Sequence, residues 1–185
     1  MSAIGFRVKS GFAVAVVLDG SRQSPAAIAR RVVALSDPDV AETRQPYHHG
    51  FYRTEEDPRE LARRVRIVKR CAARAVDALL ADTGARRATL IVGSVIDPST
   101  VGNQHIRAHA HEGRLFRTVL EQALASHGVD CDVIVEKHLA RRAATDLGRT
   151  AAALARTVTA FGKSLGPPWR ADEKAAATAA WLALR

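Results

Sequence analysis

Several things are scarce in this sequence, and each scarcity excludes a class of protein. Two cysteines, Cys71 and Cys131, occur in 185 residues, too few for a disulfide-built scaffold. They fall in a predicted helix and a predicted strand, which suits reduced thiols better than a bridge. Aromatic residues make up 5% of the chain, which argues against the base-stacking platforms of single-strand binders. Arg or Asp interrupts every apolar run before it reaches the length of a bilayer span, so no membrane association is expected. Residues Met1 to Lys9 lack a basic head followed by an apolar core. No secretory leader is therefore expected, and the chain reads as cytoplasmic. Acids are in deficit too: 19 Asp+Glu stand against 28 Lys+Arg, a formal net charge of +9.

Hydrophobic residues supply 47% of the chain, enough for one folded unit spanning residues 1–185 with its own core. Disorder and collagen are excluded by the same composition. The basic surplus favours a polyanionic partner. Part of it reflects an Arg- and Ala-rich composition of the kind GC-rich coding produces, with Ala at about one residue in five.

The first third reads as strand. Ile4, Phe6 and Val8 alternate with Gly5, Arg7 and Lys9, and Ser10-Gly11 supplies a tight turn into the β-branched run Phe12 to Leu18. Asp19-Gly20 closes this hairpin, and a third strand is predicted over Ile28 to Leu35. Residues Asp39 to Arg53 look irregular. Asp57-Pro58-Arg59-Glu60 then carries the signs of a helix start: an N-cap acid, Pro at the first helical position and Glu three residues after the cap. Leu61, Val65, Val68, Ala72, Val76 and Leu79 recur at helical spacing, and Gly84 ends the helix. Thr89 to Val92 suits a buried strand, and Cys131 to Val135 another. Between them His105 to His127 reads as a helix with Ile106, Ala110, Phe116, Val119, Leu120 and Leu124 inward. Helices over His138 to Leu147, Thr150 to Leu165 and Asp172 to Leu184 complete the chain. Trp169 and Trp181 are expected to pack. Phe161-Gly162-Lys163-Ser164 ends like a phosphate-binding loop but lacks the leading Gly and lies at a helix end, so nucleotide binding is rejected.

The order β-β-β-α-β-α-β-α, with extra C-terminal helices, resembles the ribonuclease H-like fold: an α/β protein with a five-stranded mixed sheet, antiparallel through its first three strands and then parallel, flanked by helices. Within that superfamily the layout is most similar to RuvC-type Holliday-junction resolvases. Ile4-Gly5-Phe6-Arg7 followed by Ser10-Gly11-Phe12-Ala13-Val14 resembles their first hairpin. Asp172-Glu173 followed by the Ala-rich run to Ala183 resembles their last helix. The resemblance implies a nuclease in which two Mg²⁺ ions are held by acids from the first strand, the fourth strand and the last helix. This chain departs from that pattern. Arg7 stands at the first-strand acid position, and Gly93 or Ser94 at the fourth-strand one. A guanidinium there repels the ion that the site should hold. Only Asp172, with Glu173 beside it, falls where an acid is expected.

Rearranged catalysis would draw on Asp172, Asp97 and Glu136, which reads as the end of the fifth strand, with Asp19, at the end of the second, a further oxygen donor, and Asp172 and Asp97 as metal ligands. The competing structural roles are Asp172 as a helix cap, Asp97 in a turn before Pro98, and Asp19 in a turn with Gly20. The expected cofactor is thus none or Mg²⁺, and whether the chain is an enzyme stays open. The expected partner is structured nucleic acid, with a homodimer as an option and a non-catalytic scaffold as the rival. Candidate backbone-contacting residues are Arg7, Lys9, Asn103, His105, Arg107, Arg141, Arg142 and Arg149; phosphate contacts need only charge and reach. His105 and His109 share a helical face with Glu112 and form an alternative metal site, helped by His48 or His49. Gly113, inside that helix, predicts a close approach by a backbone or a ligand.

Overall fold

The computed structural model describes residues 1–49 and 53–185. The sheet is built from β1 (Ala3–Lys9), β2 (Phe12–Gly20), β3 (Pro25–Ala34), β4 (Arg87–Val92) and β5 (Asp130–Val135). The helices are α1 (Pro58–Thr83), α2 (Gln104–Ser126), α3 (Glu136–Leu147), α4 (Ala151–Leu165) and α5 (Ala171–Ala183). Strand order is β3-β2-β1-β4-β5. The β1–β2 and β2–β3 pairs are antiparallel, whereas β1–β4 and β4–β5 are parallel. This is the five-stranded mixed sheet of the ribonuclease H-like fold.

Strand alternation explains the layering. Ile4, Phe6 and Val8 point to the face covered by α1 and α2, where they join Val68, Val76, Phe116 and Leu120 in one core. Ala3 points the other way, into a core with Leu139, Val158, Phe161 and Trp181 from the C-terminal helices. A sheet covered on both faces needs apolar residues at nearly every central position, and Ala13 to Leu18 of β2 are buried throughout.

The helix signals act as the sequence predicts at α1. The Asp57 carboxylate accepts from the Arg59 N–H at 2.8 Å, Pro58 opens the helix, and Gly84 closes it at φ 60°. Cys71 and Cys131 are both free thiols. Among the described residues, no helix is long and apolar enough to cross a membrane.

Other boundaries differ from expectation for physical reasons. β3 starts at Pro25, not Ile28, because its pairing with β2 continues past an irregularity between Val17 and Leu18 to Gly20↔Pro25. Proline is tolerated there as the first residue of an edge strand. Glu136 does not end a strand: β5 feeds α3 with no loop, so Glu136 opens the helix. Asp172 does not cap α5. The cap is Arg170, whose N–H donates to Glu173 at 2.8 Å, and Asp172 lies inside the first turn. Ile106 is 55% exposed, not inward. The inward phase of α2 runs through Ala108, Glu112, Leu115, Phe116 and Val119.

The α5–β1 contact positions everything that follows. Gly5 is buried beneath α5, and a Cβ there would lie 1.9 Å from the Ala176 carbonyl oxygen and 2.3 Å from the Ala180 nitrogen. Glycine on the strand and alanines on the helix let two backbones touch. Two residues along a strand cover about 6.6 Å, and four along a helix about 6 Å. The residue two beyond Gly5, Arg7, therefore meets the helix one turn before Ala176, at Asp172.

Candidate functional site: a cation between two carboxylates

The carboxyl ends of the parallel strands are the usual crevice of such sheets, and here they carry Arg7, Lys9, Val92 and Glu136. The Arg7 side chain is 7% exposed, and its Nη2 donates to Glu136 Oε2 at 2.6 Å. Its Nε stands 3.6 Å from Asp172 Oδ1, and Nη1 reaches the Val8 and Ile91 carbonyls at 3.3 and 3.4 Å. Lys9 Nζ adds a second cation 3.0 Å from Asp172 Oδ1. Two side-chain cations and two carboxylates thus form one cluster. Gly93 and Ser94 line the adjoining cleft with Arg7, Lys9, His109 and Gly113.

The remaining acids named from the sequence lie apart from this cluster. The Asp97 carboxylate accepts from the Ser99 N–H at 3.0 Å, which holds its pKa below the ordinary value, and it does not converge with Glu136 and Asp172. Asp19 takes the N-terminal ammonium at 2.8 Å and the Ser2 hydroxyl at 3.2 Å. Glu173 is the capping partner of Arg170.

The candidate backbone-contacting residues separate in the same way. Arg7 is buried and engaged. Asn103 caps α2 by accepting from the Ile106 N–H at 3.1 Å. Arg107 folds back onto the Val101 and Gly102 carbonyls at 2.8 and 3.0 Å. Arg142 is paired with Asp146 at 2.5 Å and Asp132 at 3.5 Å, and Arg149 lies 5.3 Å over the Trp181 ring. Arg141 and Lys9 keep solvent exposure. A basic surface lies on α1. Arg59, Arg63, Arg66, Arg70 and Arg74 are all exposed. At 100° and 1.5 Å per residue they fall within about 80° of the helix circumference and run for about 22 Å. Arg64, next to them in sequence, is turned inward and pairs with Glu55 at 2.5 Å.

A second cluster faces the same cleft from α2. His48 Nδ1 lies 2.7 Å from Glu112 Oε1, His48 Nε2 is 3.3 Å from His105 Nδ1, and His105 Nε2 is 3.2 Å from His109 Nε2. The Glu112 side chain is fully buried, and burial raises its pKa, partly offset by His48. Burial, with His48 and His105 nearby, lowers that of His109. His48 comes from the segment that looked irregular in sequence. Arg64 fastens it by donating to the Pro46 and His48 carbonyls at 3.1 and 3.0 Å. His49 pairs instead with Glu55 at 3.2 Å. Gly113 meets no backbone: its missing Cβ faces open space in the cleft.

No family model matches the sequence, and no curated protein matches it. Solved structures do match it. RuvC of Thermus thermophilus, in complex with a Holliday junction substrate, aligns at TM-score 0.60 over 98% of this chain and 91% of that one, with 11% identity. A further Thermus thermophilus RuvC structure aligns at 0.55 over 98% and 92%, with 12% identity. Likeness at this identity is a likeness of fold: the chain has the ribonuclease H-like architecture in the form that RuvC displays.

Proposed function

We propose that this chain binds structured nucleic acid through its phosphate backbone and does not hydrolyse it with carboxylate-held Mg²⁺. The observation that carries the second half is the Arg7 guanidinium lodged against both Glu136 and Asp172. A pair of hard divalent ions needs several convergent oxygens. Here Glu136 and Asp172 converge, but on a cation, with Lys9 adding a second positive charge. The donor set does not fit Mg²⁺, so no hydrolytic step is drawn through it.

Binding is supported by the net charge of +9, by the exposed arginine row of α1, and by the fold shared with a protein that is seen holding a junction. Arg7 is too buried to contact a phosphate; its work is to hold α3 and α5 together at the end of the sheet. The expected surface is the α1 row; Lys9 and Arg141 lie outside it, Arg141 in the helix layer on the opposite face of the sheet. Backbone contacts release counterions, so affinity falls steeply with salt. The test is a gel-shift series on four-way junction and duplex DNA from low to physiological salt. Arg66→Ala with Arg70→Ala is expected to reduce the slope of log K against log salt by about 2. Absence of binding at low salt contradicts the reading and leaves the fold as a protein-interaction scaffold.

A further inference from the structure

We propose that His48, His105 and His109 together bind one Zn²⁺ ion, with the buried Glu112 holding the His48 ring from behind and standing beside that of His109. This site is separate from the carboxylate centre and does not rest on the nucleic-acid reading.

The three rings offer ligand nitrogens that all lie within 4.8 Å of one another. A Zn–N bond of about 2.0–2.1 Å in a tetrahedron sets neighbouring nitrogens about 3.3–3.4 Å apart. His48 Nε2 stands 3.3 Å from His105 Nδ1, and His109 Nε2 stands 3.2 Å from His105 Nε2. His105 therefore presents one nitrogen to each neighbour, and a turn of its ring decides which one ligates.

Glu112 makes the arrangement specific. Its Oε1 takes His48 Nδ1 at 2.7 Å, and its Oε2 lies 3.6 Å from His109 Nδ1. Accepting from His48 Nδ1–H fixes the tautomer of that ring and leaves its Nε2 with the lone pair. The Nε2 atoms of His48 and His109 both lie next to His105. Glu112 is fully buried, and its Oε2 has no hydrogen-bond partner among the described residues. A buried carboxylate with an unsatisfied oxygen is costly without a compensating positive charge. A dication held by these rings supplies that charge.

The spacing is that of one helix face: residues 105, 109 and 112 are four and three apart. His48 is brought to them by a segment that buried Arg64 anchors through the Pro46 and His48 carbonyls. Three imidazoles select a borderline ion such as Zn²⁺ over the hard Mg²⁺. With three protein ligands a fourth position stays open. His109, at 47% exposure, borders the cleft that Lys9 and Ser94 also line, so water has access.

The test uses the full chain, stripped with a chelator and titrated with Zn²⁺ against a chromophoric indicator, and separately with Co²⁺. The expected result is one Zn²⁺ per chain with a Kd of about 1 μM or tighter, and a Co²⁺ complex with the visible bands of a tetrahedral ion. Glu112→Gln is expected to weaken binding about 10–100-fold, and His109→Ala by more. His109 is exposed enough for its variant to fold. Wild-type stoichiometry and the Co²⁺ spectrum decide the matter if Glu112→Gln does not. Less than half an equivalent of Zn²⁺, or an affinity unchanged in His109→Ala, overturns the site and leaves a row of imidazoles in contact with one another.

Discussion

The guanidinium of Arg7 and the carboxylate of Glu136 meet at 2.6 Å although 129 positions separate them in sequence. β1 delivers one and the first turn of α3 the other, at the end of the sheet where parallel strands stop. Asp172 approaches from α5 on the remaining side. One side chain thus ties three elements together at the end of the sheet.

Removing that cation is expected to uncover the carboxylates. Arg7→Asp deletes a positive charge and adds an acid beside Glu136 and Asp172. Each unit charge near 4 Å is worth about 4 kcal/mol at a partly screened site, so Mn²⁺ affinity should rise by well over about tenfold despite Lys9. Calorimetric titration of Mn²⁺ into both proteins checks this. Equal, negligible binding in both contradicts the placement of Arg7 as a stand-in for the ion. The measurement is made in the His105→Ala and His109→Ala background, so that only the carboxylate centre is read.

Gly5→Ala is expected to be among the most damaging small changes in the sheet. Its added methyl would overlap the Ala176 carbonyl and the Ala180 nitrogen, which are backbone atoms and cannot swing aside. A loss of about 3 kcal/mol in urea unfolding is expected. A change under about 0.5 kcal/mol, the ordinary surface range, contradicts the close approach of α5.

The Glu55–Arg64 pair should make stability depend on acid pH. The Asp57 N–H, then His49 and Arg64, hold the Glu55 carboxyl below its ordinary value of 4.5. A group whose pKa is lowered in the folded state stabilises it fully above the unfolded value. That contribution is lost as pH falls through the folded value. Glu55→Gln should therefore melt lower than the wild type at pH 7, and the gap should close as pH drops below 4.5. Melting curves at neutral and acid pH read this directly, and a gap that stays constant contradicts it.

The sheet was legible because its signals are local. Alternation in Ile4 to Lys9, the Ser10-Gly11 turn and the Asp57-Pro58 start each act within a few residues, and Gly11 takes the positive φ of 82° that the turn needs. The identity of position 7 as a cation was legible from the same hairpin. Its partner was half-legible: Glu136 reads as a strand end until the structure shows β5 passing into α3 without a loop. The histidine cluster was legible in part: spacing put His105, His109 and Glu112 on one helical face, but the inward turn of Glu112 was not visible, because periodicity counts apolar residues as inward. On the first turns of α2 the inward phase carries Ala108 and Glu112, while Ile106 faces solvent. Reading Glu112 as a core position, in step with Phe116 and Val119, is the signal that would have shown the carboxylate to be buried behind the rings. Arg64 conceals itself alike, as the inward member of an arginine pair. His48 comes from a segment without periodicity, and only tertiary contacts with Arg64 and Glu112 place it.

The central proposal is that Arg7 occupies Glu136 and Asp172 in place of a divalent ion while the chain binds structured nucleic acid. Incubation of the purified chain with a labelled four-way junction, with Mg²⁺ or Mn²⁺ and at a protein concentration that shifts the junction in a gel, tests it most directly. The account predicts a retarded junction whose strands remain intact. Metal-dependent nicking that Asp172→Asn abolishes would contradict it.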